Sequence, residues 1–548
     1  MTMMSCKTST LLLLLLLLQV HDNRVVFVVG YEATWESLDS LPLPTWYDNA
    51  KIGIFIHWGA FSVPGVGTEW FWYNWEKEQR KTTDSTSALT EFVHDTERSN
   101  FAYVDYGHRF LAELYRPEEW VELFAQSGAQ YIVFVSKHHE GYCNFNSKNI
   151  SSTWNWNCMD IGPRKDLLGE LVSALRNNGN GVIKSKQSNQ ELKFGIYHSA
   201  FEWYNPMFLH DQKNNFTTQE FVNFKTLQEL YYLVNTYQPE IIWSDGDWMA
   251  PDYYWKSKEF LAWLATNSSV KDTVVWNDRW GNNNITCNHG SFVTCHDKYE
   301  PPTTLTTKKW EKCISIDKTS WGYNRNSSIT QYMSTQELIH NVISSISKNG
   351  NILINIGPSS DGTISPIFQD RLLSLGSWLH VNGEAVYNTT SWNVCSNETT
   401  TTTTSVFYTR TKDKLYAHVT QWPKGNFLNL SCPEITSTSK AYMLGLDTST
   451  TTTTSATTTT TYTTNGNEEG DNGDDHVVEL IPLSTIDVEE RVLDTNDSNS
   501  RSRKAGVQLH LPSLTPADIP CQHAWVIVLT DIANLNNDDS DRGERSMS

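Results

Sequence analysis

Between residues 52 and 278, five short apolar runs each end against polar, titratable side chains. Ile52-Gly-Ile-Phe-Ile is followed by His57-Trp58, and Tyr131-Ile-Val-Phe-Val leads to Lys137-His138-His139-Glu140. Phe194-Gly-Ile precedes Tyr197-His198, Ile241-Ile-Trp precedes Ser244-Asp245-Gly246-Asp247, and Val274-Val-Trp precedes Asn277-Asp278-Arg279. None of the runs alternates with polar residues, as expected of strands buried on both faces of a parallel sheet. Ionisable residues at the C-terminal ends of such strands are the arrangement of a (β/α)₈ barrel. The fold predicted is therefore α/β: a (β/α)₈-like (TIM) barrel followed by a C-terminal antiparallel β-sandwich.

The intervening segments carry helical spacing. Pro117-Glu-Glu-Trp-Val-Glu-Leu-Phe has proline at a helix start. Helices are also predicted over 166–176, 220–235, 336–347 and 369–381, and further strands over 313–317 and 351–356. Seven strands are clear; an eighth leaves only a faint pattern. A long insertion, about 67–106, follows the first strand. From about residue 387 the spacing changes to alternation, at 405–409, 415–419 and 524–529, which reads as antiparallel strands. The predicted division is 1–30 signal peptide and leader, 31–386 catalytic barrel, 387–535 sandwich and 536–548 polar tail. Threonine tracts at 399–404 and 448–464 and an acidic stretch at 468–475 lack the apolar content to fold, so a disordered insertion is expected at about 447–475.

Composition narrows the class. The chain of 548 residues has 22 Trp, 23 Tyr and 21 Phe, which suits sugar rings as well as a large core. A net charge of −20 argues against nucleic acid or an anionic membrane as partner. Lys7 and the leucine run 11–18 form a signal-peptide core too short to span a bilayer, with cleavage expected between about 19 and 30. No other stretch is long enough for a membrane span. Eight cysteines lie beyond the signal, an even number compatible with disulfides in an exported protein; Cys287 and Cys295 are a plausible local pair. Sequons at Asn149, Asn215, Asn267, Asn284, Asn326, Asn388, Asn397, Asn429 and Asn496 agree with export.

Asp245 and Asp278 stand at the ends of consecutive runs, flanked by Trp243, Trp248, Trp276 and Trp280. Neighbouring strands are about 4.8 Å apart. Carboxylates at their ends can approach the roughly 5–5.5 Å that a retaining glycosidase requires. His138-His139-Glu140 invites a metal reading, but adjacent strand residues point to opposite faces and H-E-x-x-H is absent, so no metal is expected. Neutral histidines and a carboxylate can instead grip vicinal hydroxyls. His57, Glu69, Trp70, Tyr197 and His198 are candidates for the same ring of contacts.

Ile54-Phe-Ile-His-Trp-Gly59, Thr68-Glu-Trp-Phe-Trp72, Lys137-His-His-Glu-Gly141, Trp243-Ser-Asp-Gly246, Asn277-Asp-Arg-Trp-Gly281 and Lys309-Trp-Glu-Lys-Cys313 resemble the motifs of the α-L-fucosidases of glycoside hydrolase family 29. The similarity runs from about 46 to 387 and is closest to the lysosomal animal-type members. It implies a retaining exo-hydrolase that removes terminal α-L-fucose from glycoproteins and glycolipids without a metal or other cofactor. By the resemblance, Asp245 is the nucleophile, and His57, Glu69, Trp70, His138, His139, Tyr197 or His198, and Arg279 bind fucose; Trp248 is a further candidate, and either it or Trp70 packs on the sugar's methyl group. Animal-type members carry a C-E-D-K motif whose glutamate is one acid/base candidate. Here the motif reads Cys295-His296-Asp297-Lys298, which favours Asp278 as acid/base unless His296 or Asp297 has taken over. The alternative is a catalytically impaired fucose-binding lectin on the same fold. The expected partners are fucosylated glycans, homo-oligomers are compatible, and the expected destination is the secretory pathway, with lysosomal delivery or secretion.

Overall fold

The computed structural model describes residues 30–446 and 507–536 except 81–87, 151–153, 177–181, 302–307 and 400–404, with the backbone alone of Val20–His21, Arg24–Val25, Asp487–Val492 and 505–506. Most of the expected signal segment, the threonine and acidic insertion at 447–475 and the polar tail lie outside the described residues.

Seven parallel strands form the central sheet: β1 Ile52–Ile56, β2 Tyr131–Lys137, β3 Lys193–Ser199, β4 Ile241–Asp245, β5 Val275–Trp276, β6 Trp310–Ser315 and β7 Gly350–Ile356. Their order is β5-β4-β3-β2-β1-β7-β6, so the first strand pairs with the last and the sheet curls. The faint eighth position is filled by 291–293. Ser291 N–H donates to the Trp276 carbonyl, Val293 N–H to that of Lys309, and Glu311 N–H to that of Val293, so this short segment bridges β5 and β6.

Alternate residues of each strand enter different cores. Phe55, Tyr131, Val133, Tyr197, Trp243 and Leu353 fill the barrel interior, while Ile54, Ile56, Ile132, Phe134, Ile196 and Ile242 pack beneath the surrounding helices. Both faces are dry, which explains runs with no polar alternation. The helices begin where their ends can be satisfied. Pro117 opens Pro117–Gln126, and Ser334 caps Thr335–Ser347 by accepting from Glu337 N–H while the Glu337 carboxylate accepts from Ser334 N–H.

From Thr390 onward the strands are antiparallel. Ser405–Arg410, Lys414–Val419, Trp525–Thr530 and Lys440–Met443 form the main part of a six-stranded sheet, and Phe427–Leu430, Ala505–His510 and Asp487–Val492 form a three-stranded one. Val406, Leu415, Leu428, Leu509 and Ile527 share one core between the two sheets. Disulfides join Cys287 to Cys295 and Cys395 to Cys432. No helix among the described residues is long and apolar enough to cross a membrane.

Candidate active site

A cavity of about 620 Å³ opens at the C-terminal ends of the parallel strands. His57 enters it just past β1, His138 and His139 just past β2, Tyr197 from β3, Trp243 and Asp245 from β4, and Arg279 past β5. Asp245 sits on the floor, only 8% exposed. Its Oδ2 accepts from the Tyr197 hydroxyl at 2.7 Å, and its Oδ1 accepts from Arg279 Nη1 at 2.9 Å. Arg279 also donates from Nη2 to Asp297 Oδ1 at 2.7 Å and from Nε to Thr294 Oγ1 at 3.1 Å. Its guanidinium lies over the Trp243 ring at 4.6 Å. Burial alone would lower the pKa of Arg279, but the Asp245 and Asp297 carboxylates hold it well above the usual value. One cation thus bridges two carboxylates inside the cavity.

The rest of the ring offers hydrogen-bonding atoms at fixed positions. Glu69 Oε2 accepts from Trp321 and Gly322 N–H at 3.0 and 3.1 Å, which leaves Oε1 for another donor. His57 Nδ1 lies 2.7 Å from Asn355 Oδ1, an acceptor, so its Nε2 is the free acceptor. His139 Nδ1 lies 2.6 Å from Ser199 Oγ, whose own proton goes to the Phe201 carbonyl, and its Nε2 stands 3.6 Å from Asp245 Oδ2. Burial, reinforced by the neighbouring His138, holds both histidines well below the usual range, so they are neutral. Trp70 and Trp248 stand nearly parallel, 19° apart with ring centroids at 6.5 Å, and Trp248 is 43% exposed at the rim. Neutral acceptors, carboxylates and aromatic faces together suit a polyhydroxylated ring with one apolar face.

The cavity gathers His57, Glu69, Trp70, His138, His139, Tyr197, Asp245, Trp248 and Arg279. His138 and His139 share it, contrary to the expectation of opposite faces: β2 ends at Lys137 after an irregularity in its pairing, so strand alternation no longer applies to them. Two other candidates lie elsewhere. His198 follows Tyr197 on β3, so alternation turns it away from the cavity, toward Ser136 Oγ at 2.9 Å and Glu229 Oε2 at 3.2 Å. Asp278 is fully buried and absent from the cavity lining. Its Oδ1 accepts from Thr294 N–H and Oγ1, and its Oδ2 from Cys287 and Cys295 N–H, at 2.7–3.0 Å. The chain turns sharply after β5, and Asp278 pins the disulfide loop instead of facing a ligand. Among the described residues, the one cluster with metal-ligand spacing is Asp278 with Cys287 and Cys295, whose two sulfurs are already joined to each other.

A model of the α-L-fucosidase family matches residues 20–384, and one of the α-L-fucosidase C-terminal domain matches residues 397–464. The chain belongs to the α-L-fucosidase family. It is 42% identical to the tissue α-L-fucosidase of Homo sapiens over 95% of this chain and 97% of that one, and 46% identical to an α-L-fucosidase of Branchiostoma floridae over 93% and 98%. The plasma α-L-fucosidase of Homo sapiens is 41% identical over 92% and 93%. Among solved structures, the Thermotoga maritima α-fucosidase in complex with fucose superposes with a TM-score of 0.66 at 25% identity, over 91% of this chain and all of that one.

Asp247, Asn282, Thr286 and Trp321 line this fucosidase-family cavity without having been singled out from the sequence. Asp247 is the informative one. It accepts from Thr286 Oγ1 at 2.8 Å, and burial, with Asp245 nearby, pushes its carboxyl up to about 6. A raised pKa means the folded state holds this proton more tightly than the unfolded chain. The associated stability is full below about pH 3.8 and is lost as pH rises through about 6. The span corresponds to about 3 kcal/mol. Asp247→Asn is therefore expected to flatten the part of the melting-temperature profile between pH 4 and 7, measured by calorimetry. An unchanged slope would show that Asp247 titrates as an ordinary carboxyl.

Proposed function

We propose that the chain hydrolyses terminal α-L-fucosides with retention of configuration, using Asp245 as nucleophile and Asp297 as acid/base. The observation that carries this reading is the chain of contacts Asp245–Arg279–Asp297. Two carboxylates held on the nitrogens of one guanidinium are compatible with the roughly 5–5.5 Å separation of a retaining pair. They also differ in access. Asp245 is buried at the cavity floor with both oxygens engaged, and the Asp297 side chain is 50% exposed, where an aglycone oxygen and then water can reach it.

Asp245 attacks the anomeric carbon and forms a fucosyl ester while Asp297 protonates the departing oxygen. Asp297 then takes a proton from water, and the water displaces Asp245, so the sugar leaves with its original configuration. Tyr197 and Arg279 hold Asp245 in its attacking orientation. Glu69, His57, His138 and His139 receive and donate to ring hydroxyls, and the Trp70 and Trp248 faces meet the apolar side of the sugar. The position of Asp297 weighs against the lectin reading. The substrates are fucosylated glycoproteins and glycolipids, met in the secretory pathway, in the lysosome or after secretion.

The purified protein is expected to release fucose from an aryl α-L-fucoside, with α-L-fucose as the first anomer seen by proton NMR and no loss of rate in excess chelator. First appearance of the β-anomer, or inhibition by chelator, would contradict the mechanism.

A further inference from the structure

A second cavity, of about 410 Å³, shares no lining residue with the first. It is nonetheless built from the same stretches of chain. Trp70 lines the catalytic cavity and Trp72 the second one; His139 lines the first and Glu140 the second. Trp203 packs on Trp70 and His139 at 5.0 and 5.5 Å, while its neighbours Glu202 and Tyr204 line the second cavity. Consecutive residues thus furnish two cavities back to back.

The second cavity combines aromatic walls with a polar floor. Trp72, held flat against Tyr103 at 4.5 Å and 6°, meets Tyr204 at 4.5 Å, and Trp154 and Trp156 complete the walls. At its mouth Trp154 and Val104 are 50% and 44% exposed. On the floor, Glu202 accepts from Asn205 at 2.8 Å and pairs with Lys137 at 3.0 Å and Lys225 at 3.2 Å. The two lysines are offset by Glu202 and Glu229, which leaves no spare cation for an anionic ligand. Glu140 is different. It is 4% exposed, and its Oε2 accepts no hydrogen bond; the nearest cationic candidate is His138 Nδ1 at 3.5 Å.

We propose that this cavity is a second carbohydrate subsite, taking a neutral pyranose unit. Aromatic faces cover the C–H face of such a ring, and His108 and Asn205 offer polar contacts to its hydroxyls. The volume lies within the usual range for small-ligand sites, about 300–1,000 Å³. An aromatic box can also take an organic cation, and choline binding distinguishes the two. The choice of a saccharide rests on reading the neighbouring cavity as that of a fucosidase.

The test titrates the full chain with D-galactose and with N-acetyl-D-glucosamine, with L-fucose saturating throughout, and follows tryptophan fluorescence and saturation-transfer NMR. At least one of these sugars is expected to bind saturably in the millimolar range. Trp154→Ala is expected to weaken that binding at least tenfold, and His108→Ala, a second exposed position, at least twofold. Hydrolysis of an aryl fucoside should change less than twofold in both variants. Absence of saturable binding by either sugar, binding unaltered in both variants, or saturable binding of choline instead would overturn the proposal. Failure of the fucosidase reading has its own signature, absence of aryl fucoside hydrolysis by the unaltered protein.

Discussion

Asp245→Ala is expected to lower turnover of an aryl α-L-fucoside by about 10⁴-fold or more, equivalent to ~5.5 kcal/mol of transition-state stabilisation. The loss is large because Asp245 is the one carboxylate on the cavity floor whose two oxygens are fixed by different donors, Tyr197 and Arg279. The substitution leaves a space beneath the anomeric carbon, beside a guanidinium that still attracts anions. Azide is therefore expected to enter, restore part of the rate and yield the β-L-fucosyl azide, since it attacks from the side that Asp245 vacates. Quantifying that product by NMR checks the direction of attack as well as the rate. Near-normal activity without azide would remove Asp245 from the mechanism.

Asp297→Ala is expected to give the second largest effect, and one that depends on the leaving group. An activated aryl fucoside needs little protonation, so its first step should slow less than about tenfold, whereas a fucosylated oligosaccharide should lose about 10²–10⁴-fold, the usual scale of general acid catalysis. Azide added to this variant should give the α-L-fucosyl azide, formed from the intact fucosyl ester. Asp278→Ala has a different expected signature. It leaves the N–H groups of Cys287, Thr294 and Cys295 without their acceptor, at a cost of about 3 kcal/mol or more in stability. The melting temperature should fall, while the ratio of aryl to oligosaccharide rates stays near that of the unaltered protein. If Asp278→Ala instead showed the leaving-group dependence and Asp297→Ala did not, the two assignments would have to be exchanged.

The contrast between these two aspartates shows what the sequence conveys and what it withholds. Strand positions were legible because burial on two faces forces continuous apolar runs, and the ends of those runs marked the rim of the barrel. Asp245 lies within a regular strand, and on β3 alternation lets one of Tyr197 and His198 face the cavity without saying which. Beyond a strand end, spacing stops specifying direction. His138 and His139 turn to one side because β2 has ended, and Asp278 turns inward because backbone N–H groups of the disulfide loop receive it. Asp297 is brought to the cavity by Arg279, 18 residues away in sequence, a pairing that no local pattern encodes. The eighth barrel position, at 291–293, is too short to show a periodicity and is visible only through its hydrogen bonds. Cys395 and Cys432 pair across 37 residues for the same reason: their proximity comes from the sandwich, and spacing alone does not give it.

The covalent fucosyl-enzyme is the most direct point of test. Brief incubation with a 2-deoxy-2-fluoro-fucosyl fluoride, which slows release of the ester more than its formation, should inactivate the protein. Mass spectrometry of the digested chain should then find one fluorofucosyl group, on the Asp245 side chain. Inactivation without a label on that peptide, or a label carried by Asp297, Asp247 or Glu69 instead, would contradict the account.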